Sequence, residues 1–204
     1  MKTVFITGGI GSGKSEVCRY LSWQGVPVYD SDAETKALYE RDPALLPRLE
    51  EALGQPLRAG DGRLDRRKLA SLIFGNAGAL ATLESIVHPA VLADFLRWKL
   101  AQDDTPHYGR VPFVVMESAI VCDKALFRGV ADRIILVEAP LELRIARAAA
   151  RDGASPDAIR TRIAAQASGN QVLPIDAIIP NNGSLEELHA ATDRVFAGLW
   201  TLPV

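Results

Sequence analysis

The chain has 204 residues, of which 48% are hydrophobic, 24% charged and 6% aromatic, so it is long enough for one compact domain with smaller inserted pieces. With 23 Lys and Arg against 25 Asp and Glu, the formal charge of −2 excludes the basic excess of a protein that works by gripping a nucleic-acid backbone. Seventeen of the basic residues are Arg and six are Lys, and forked guanidinium groups suit bidentate capture of small phosphate or carboxylate ligands.

Cys18 and Cys122 are too few for a disulfide framework or a four-ligand zinc site, so a reducing compartment is expected, with both thiols as small apolar packers. No uncharged apolar run approaches the roughly 18 residues that span a bilayer, and MKTVFITGG lacks the length of a signal peptide's apolar region. A cytoplasmic protein with neither membrane nor nucleic-acid partners is expected.

In chain order, Val4-Phe5-Ile6-Thr7 reads as a strand, a glycine loop follows, and Lys14 to Gln24 reads as a helix with Val17, Cys18 and Leu21 at helical spacing. Gly25 stops that helix, Val26 to Tyr29 is a second strand, and Asp30-Ser31-Asp32 forms a polar turn at its end. From Ala33 to Gln102 the pattern is helical, with interruptions at Pro43, at Gln55 to Gly62, around Gly75 and Gly78, and at His88-Pro89. Val111 to Met116 and Arg133 to Val137 are continuous apolar runs, the mark of strands buried on both faces of a parallel sheet. Pro140 opens a helix to about Arg151, Ser155-Pro156 opens another, Ala177-Ile178-Ile179 is a last strand, and Ser184-Leu185-Glu186-Glu187 caps a final helix. Strands alternating with helices predict an α/β three-layer fold with a central parallel sheet.

Gly8-Gly9-Ile10-Gly11-Ser12-Gly13-Lys14-Ser15 fits the phosphate-loop pattern G-x-x-x-x-G-K-[ST] and lies between the first strand and the first helix, where the chemistry needs it. Glycines let backbone N–H groups turn inward onto phosphate oxygens, the helix N-terminus adds a favourable dipole, Lys14 reaches the β and γ phosphates, and Ser15 is placed to hold Mg²⁺. Asp30 and Asp32 follow the second strand, on the edge where open α/β sheets bind ligands. There a carboxylate serves as a base for an attacking hydroxyl, orders Mg²⁺ through water, or caps the next helix. Arg144, Arg147 and Arg151 share one helix stripe suited to clamping a polyphosphate, with Arg160 and Arg162 in the next helix ranked below them. His88, His107 and His189 lack metal-ligand spacing. His88-Pro89 reads as a turn or a ligand contact, and Glu117 ends its strand facing metal, substrate or solvent.

The ordered set of these motifs resembles the dephospho-coenzyme A kinases, which phosphorylate the ribose 3′-hydroxyl of dephospho-CoA. The resemblance spans nearly the whole chain. It covers TGGIGSGKS, V-P-V-Y-D-S-D at Val26 to Asp32, His88-Pro89, the strand ending in Glu117, Glu138-Ala139-Pro140, the arginine helix, Gln166, and Asp176 to Gly183. It departs at Asp30-Ser31-Asp32, where the family usually reads D-A-D, and at VPFVVME, where the commoner pattern ends in leucine, leucine, phenylalanine and glutamate. The resemblance implies a P-loop kinase domain over 1–204 with a helical substrate-binding insertion over 33–102 and a small lid over 147–166. It further implies ATP phosphate contacts at Gly11, Ser12, Gly13, Lys14, Ser15 and Glu16, with Arg144, and adenine-side contacts near Asn181 and Gly183. It assigns Asp32, Lys14 and Arg147 to catalysis, Asp32, His88 and Glu117 to the acceptor, and Ser15 to Mg²⁺, with ATP and dephospho-CoA as the small-molecule partners.

Two other readings compete. A P-loop kinase for another small hydroxyl acceptor, such as a nucleoside or nucleotide, would share the loop and the arginines. A GTP-dependent switch should carry N-K-x-D and D-x-x-G, and neither string occurs.

Overall fold

Among the described residues the apolar runs form five strands: β1 (Lys2–Thr7), β2 (Val28–Asp30), β3 (Phe113–Glu117), β4 (Arg133–Glu138) and β5 (Ala177–Pro180). They make one sheet in the order β2-β3-β1-β4-β5, with every neighbouring pair parallel. The structure is a computed structural model that describes residues 1–103, 111–119, 124–166 and 174–200, so Cys122 and His107 lie outside the described residues.

Strand alternation sorts the side chains into layers. Val4 and Ile6 of β1, with Val115, Ile135 and Val137, pack against Val17, Cys18 and Leu21 of α1 (Lys14–Trp23) and Leu188, Ala191 and Phe196 of α8 (Leu185–Phe196). Phe5, between them in sequence, points to the opposite face and meets Phe127 of a short 3-10 turn (Ala125–Phe127) edge-on, ring centres 5.9 Å apart. This is the expected α/β arrangement, a parallel sheet between two further layers.

From β1 the chain leaves through α1 toward β2, whereas from β4 it leaves toward β5 on the other side. The crevice of an open parallel sheet forms where the connections diverge, which here is the C-terminal edge between β1 and β4. The first compact unit comprises Met1–Asp30 and Ala101–Val204, and also holds α6 (Leu141–Asp152) and α7 (Pro156–Gln166). Those two helices share a small core of their own: Ile145, Ala148, Ile159 and Ile163, with Ile10 of the glycine loop packed against it.

The second unit is Ser31–Leu100, built from α2 (Ser31–Arg41), α3 (Leu45–Leu53), α4 (Arg66–Ile73) and most of α5 (Ala77–Asp103). Two expectations are corrected here. The second strand is displaced to Val28–Asp30 and passes straight into α2, so Asp30-Ser31-Asp32 is not a turn; Ser31 opens the helix with its side chain buried. His88-Pro89 is not a break either, because Pro89 lies inside the 27-residue α5. Proline removes one helical hydrogen bond and costs about 3 kcal/mol, whereas burial of Val87, Val91 and Phe95 along one stripe offers about 1.5–3 kcal/mol each, so packing carries the helix through.

An 18-residue window within Ala77–Gln102 reaches a mean hydropathy of 1.4, so the helix is long and apolar enough, by length and composition, to cross a membrane. Within the unit its Asp94 pairs with Arg41 at 2.9 Å and Arg97 at 3.0 Å.

Candidate active site

The glycine loop follows β1 and enters α1 at Lys14, at the diverging edge of the sheet. Gly13 sits at the helix N-cap with φ of 99° and no side chain capping the first turn, an arrangement that suits an anion at the helix N-terminus. Two glycines are required by their surroundings as well as by the turn. Gly11 has φ of 76° and a β-carbon there would run into the Arg144 backbone, while one on Gly13 would run into the Asn181 amide.

Around this loop the structure gathers residues from far along the chain. Arg144 donates through Nε to the Ile10 carbonyl at 2.9 Å, and Arg147 donates to the Asn181 carbonyl at 3.0 Å. Buried Asn181, at the end of β5, donates through Nδ2 to the Ser12 carbonyl at 2.8 Å, while its own backbone N–H reaches Glu138 at 2.7 Å. Lys14 Nζ lies 3.5 Å from the Gly9 carbonyl. Burial pulls the Arg144 guanidinium below its ordinary value, with Glu138 opposing, and a polyphosphate beside it would offset that cost. The Ser12 hydroxyl is buried without a hydrogen-bond partner, an orphaned donor inside a loop shaped for phosphate.

On the other side of the loop Ser15 donates to Glu117 Oε1 at 2.7 Å. Glu117 ends β3, in register with Ile6 on one side and Asp30 on the other, and is 9% exposed. A hydroxyl beside a carboxylate is the hard-oxygen donor set that Mg²⁺ prefers when phosphates and water complete its shell, so the residues present fit that ion. Among the described residues no cluster of three His, Cys, Asp or Glu side chains is arranged to hold a metal by itself.

Of the expected site residues, the structure brings Gly11, Ser12, Gly13, Lys14, Ser15, Arg144, Arg147, Asn181 and Glu117 into this one network. Glu16 lies in the first turn of α1 and pairs with Arg19, and Gly183 lies between β5 and α8, where a β-carbon would collide with the Glu187 carboxylate. Asp32 lies in the first turn of α2, two residues past Asp30, and His88 in the middle of α5; both belong to the second unit.

Arg151 turns away to Asp152, which also receives Arg162, and Arg160 pairs with Glu142. Asn181, expected on the adenine side, is seen to brace the loop backbone. Sequence reasoning missed Ile10, although an apolar residue among glycines and a serine is itself a sign of a side chain with somewhere to pack.

A family model described as dephospho-CoA kinase (CoaE) matches residues 2–187. The chain is 39% identical to a dephospho-CoA kinase of Bacteroides fragilis over 166 residues, which is 81% of this chain and 77% of that one. Among solved structures it is similar to TT1252 from Thermus thermophilus, with 36% identity, a TM-score of 0.75 and 97% of each chain covered. A dephospho-CoA kinase from Campylobacter jejuni shares the fold at a TM-score of 0.66, with 23% identity and 98% of each chain covered. Glycine loop, sheet order and family match agree: the chain belongs to the dephospho-CoA kinase family.

Proposed function

We propose how this chain carries out its family's reaction, the transfer of the ATP γ-phosphoryl group to the ribose 3′-hydroxyl of dephospho-CoA to give coenzyme A. The observation that carries the reading is the single network joining the Gly8–Ser15 loop to Arg144, Arg147 and Asn181 at the diverging edge of the sheet. ATP lays its phosphates on the loop from Gly11 to Glu16, with adenine toward Asn181 and Gly183. Lys14, Arg144 and Arg147 counter the charge that spreads over the γ-phosphoryl oxygens as the bond to the β-phosphate breaks. Asp32 takes the proton of the attacking hydroxyl, and His88 and Glu117 orient the acceptor.

Ser15 would hold Mg²⁺, with Glu117 fixing the direction of its hydroxyl; when bound, the ion neutralises phosphate charge. The unit Ser31–Leu100 serves as the acceptor-binding insertion expected over 33–102, and the span 147–166 serves as the lid that excludes water from the γ-phosphate. A reducing, cytoplasmic setting suits these substrates and the buried free Cys18.

The test is product identity. Incubating the purified protein with MgATP and dephospho-CoA should give ADP and coenzyme A phosphorylated at the 3′ position. ADP release without acceptor phosphorylation, or phosphate at another hydroxyl, would overturn the assignment of roles.

A further inference from the structure

We propose that Gln166 is a positioning residue for the phosphate loop, reaching from the end of α7 to hold the loop's tip in the shape that receives ATP. The proposal rests on the reading of Gly8–Ser15 as the ATP phosphate cradle. Ile10 is gripped at three points by the α6–α7 pair. Its N–H donates to Gln166 Oε1 at 2.8 Å, its carbonyl accepts from Arg144 Nε at 2.9 Å, and its side chain packs against Ile145, Ala148, Ile159 and Ile163.

Glycine occupies four of the eight loop positions and loses more conformational freedom on ordering than any other residue, so a loop of this composition does not hold one shape by itself. Anchoring both the N–H and the carbonyl of Ile10, which belong to successive peptide units, sets the turn into Gly11 before ATP arrives, and ordering already present is not drawn from the binding energy. The residue type at 166 follows from the same geometry. An aliphatic side chain would leave the Ile10 N–H unanswered. A carboxylate would accept it but would set a negative charge beside the bound phosphates. A neutral amide oxygen meets both demands.

Two variants and three readouts test this. In ligand-free Gln166→Leu, hydrogen exchange at the Ile10 amide should speed up at least tenfold. The ATP dissociation constant should rise by roughly 3- to 10-fold, as expected for one neutral hydrogen bond, while KM for dephospho-CoA and the melting temperature stay unchanged. Gln166→Glu should keep the Ile10 amide slow, because its carboxylate still accepts, and should weaken ATP binding chiefly at low salt.

Unchanged Ile10 exchange in Gln166→Leu would overturn the proposal. So would fast exchange in Gln166→Glu, or a loss of ATP and acceptor binding together with a lowered melting temperature, which marks a merely structural side chain. If Gln166→Leu does not fold, exchange in Gln166→Glu still decides. Failure of the unaltered protein to bind ATP would instead overturn the reading of the loop, which the ligand-free exchange measurement does not depend on.

Discussion

At the scale of single residues the loop tolerates little. Gly13 combines a φ of 99° with an Asn181 amide that occupies the space a β-carbon would need. Gly13→Ala is therefore expected to cost about 1–2 kcal/mol of backbone strain and to weaken ATP binding at least tenfold in a calorimetric titration. Combining it with Asn181→Ala should recover part of the loss, since the steric conflict is then gone; a double variant no better than Gly13→Ala would mean strain alone is responsible. Asp32 makes a different prediction because its proposed role lies in the transition state. Asp32→Asn should lower kcat by about 10²–10⁴-fold while leaving the ATP dissociation constant within a factor of two or so. A loss confined to nucleotide binding would move Asp32 to a role in metal binding or in opening α2.

At the scale of elements, α6 and α7 hold together through a small apolar core and two ion pairs, Arg160–Glu142 and Arg162–Asp152. Asp152, the last residue of α6, accepts twice from Arg151 and once from Arg162 of α7, and these hydrogen bonds hold its pKa down at about 2 instead of 3.8. A depressed carboxylate stabilises the fold above its unfolded pKa and loses that contribution as pH falls toward the folded value. Asp152→Asn is thus expected to melt about 1–3 °C lower at pH 7, with the difference closing between about pH 4 and pH 2 and shrinking in high salt, as befits an exposed pair. A difference that persists at pH 2 would assign the effect to packing.

The same elements show what was legible in the sequence. β1, β3 and β4 announce themselves because strands buried on both faces need unbroken apolar runs, and the phosphate loop announces itself because its chemistry is carried by backbone and glycine. Continuity of α5 through Pro89 was not legible, since the burial of Val87, Val91 and Phe95 that outweighs the proline is a tertiary quantity. Nor were the bonds from Ile10 to Gln166 and from Asn181 to Ser12, which join residues 156 and 169 positions apart and leave no trace in local spacing.

At the scale of the whole molecule the division of labour follows from what each unit carries. The unit of Met1–Asp30 and Ala101–Val204 holds the phosphate loop and its arginines. The unit Ser31–Leu100 holds Asp32 and His88 and a cavity of about 630 Å³ of its own, whose wall mixes Lys36, Arg58 and Arg66 with Glu40, Asp42 and Asp61. A cavity of that size is within the range of small-molecule sites, with room for part of an acceptor. If remote contacts in this unit orient the ribose, their binding energy is used in the transition state, so removing them from the substrate must cost rate as well as affinity. Truncating dephospho-CoA to AMP or adenosine is therefore expected to lower kcat together with raising KM, whereas contacts serving only ground-state binding would raise KM alone. Steady-state kinetics of the three acceptors at one saturating MgATP concentration separate these outcomes, and equal or better turnover of the short acceptors would favour a general nucleoside or nucleotide kinase.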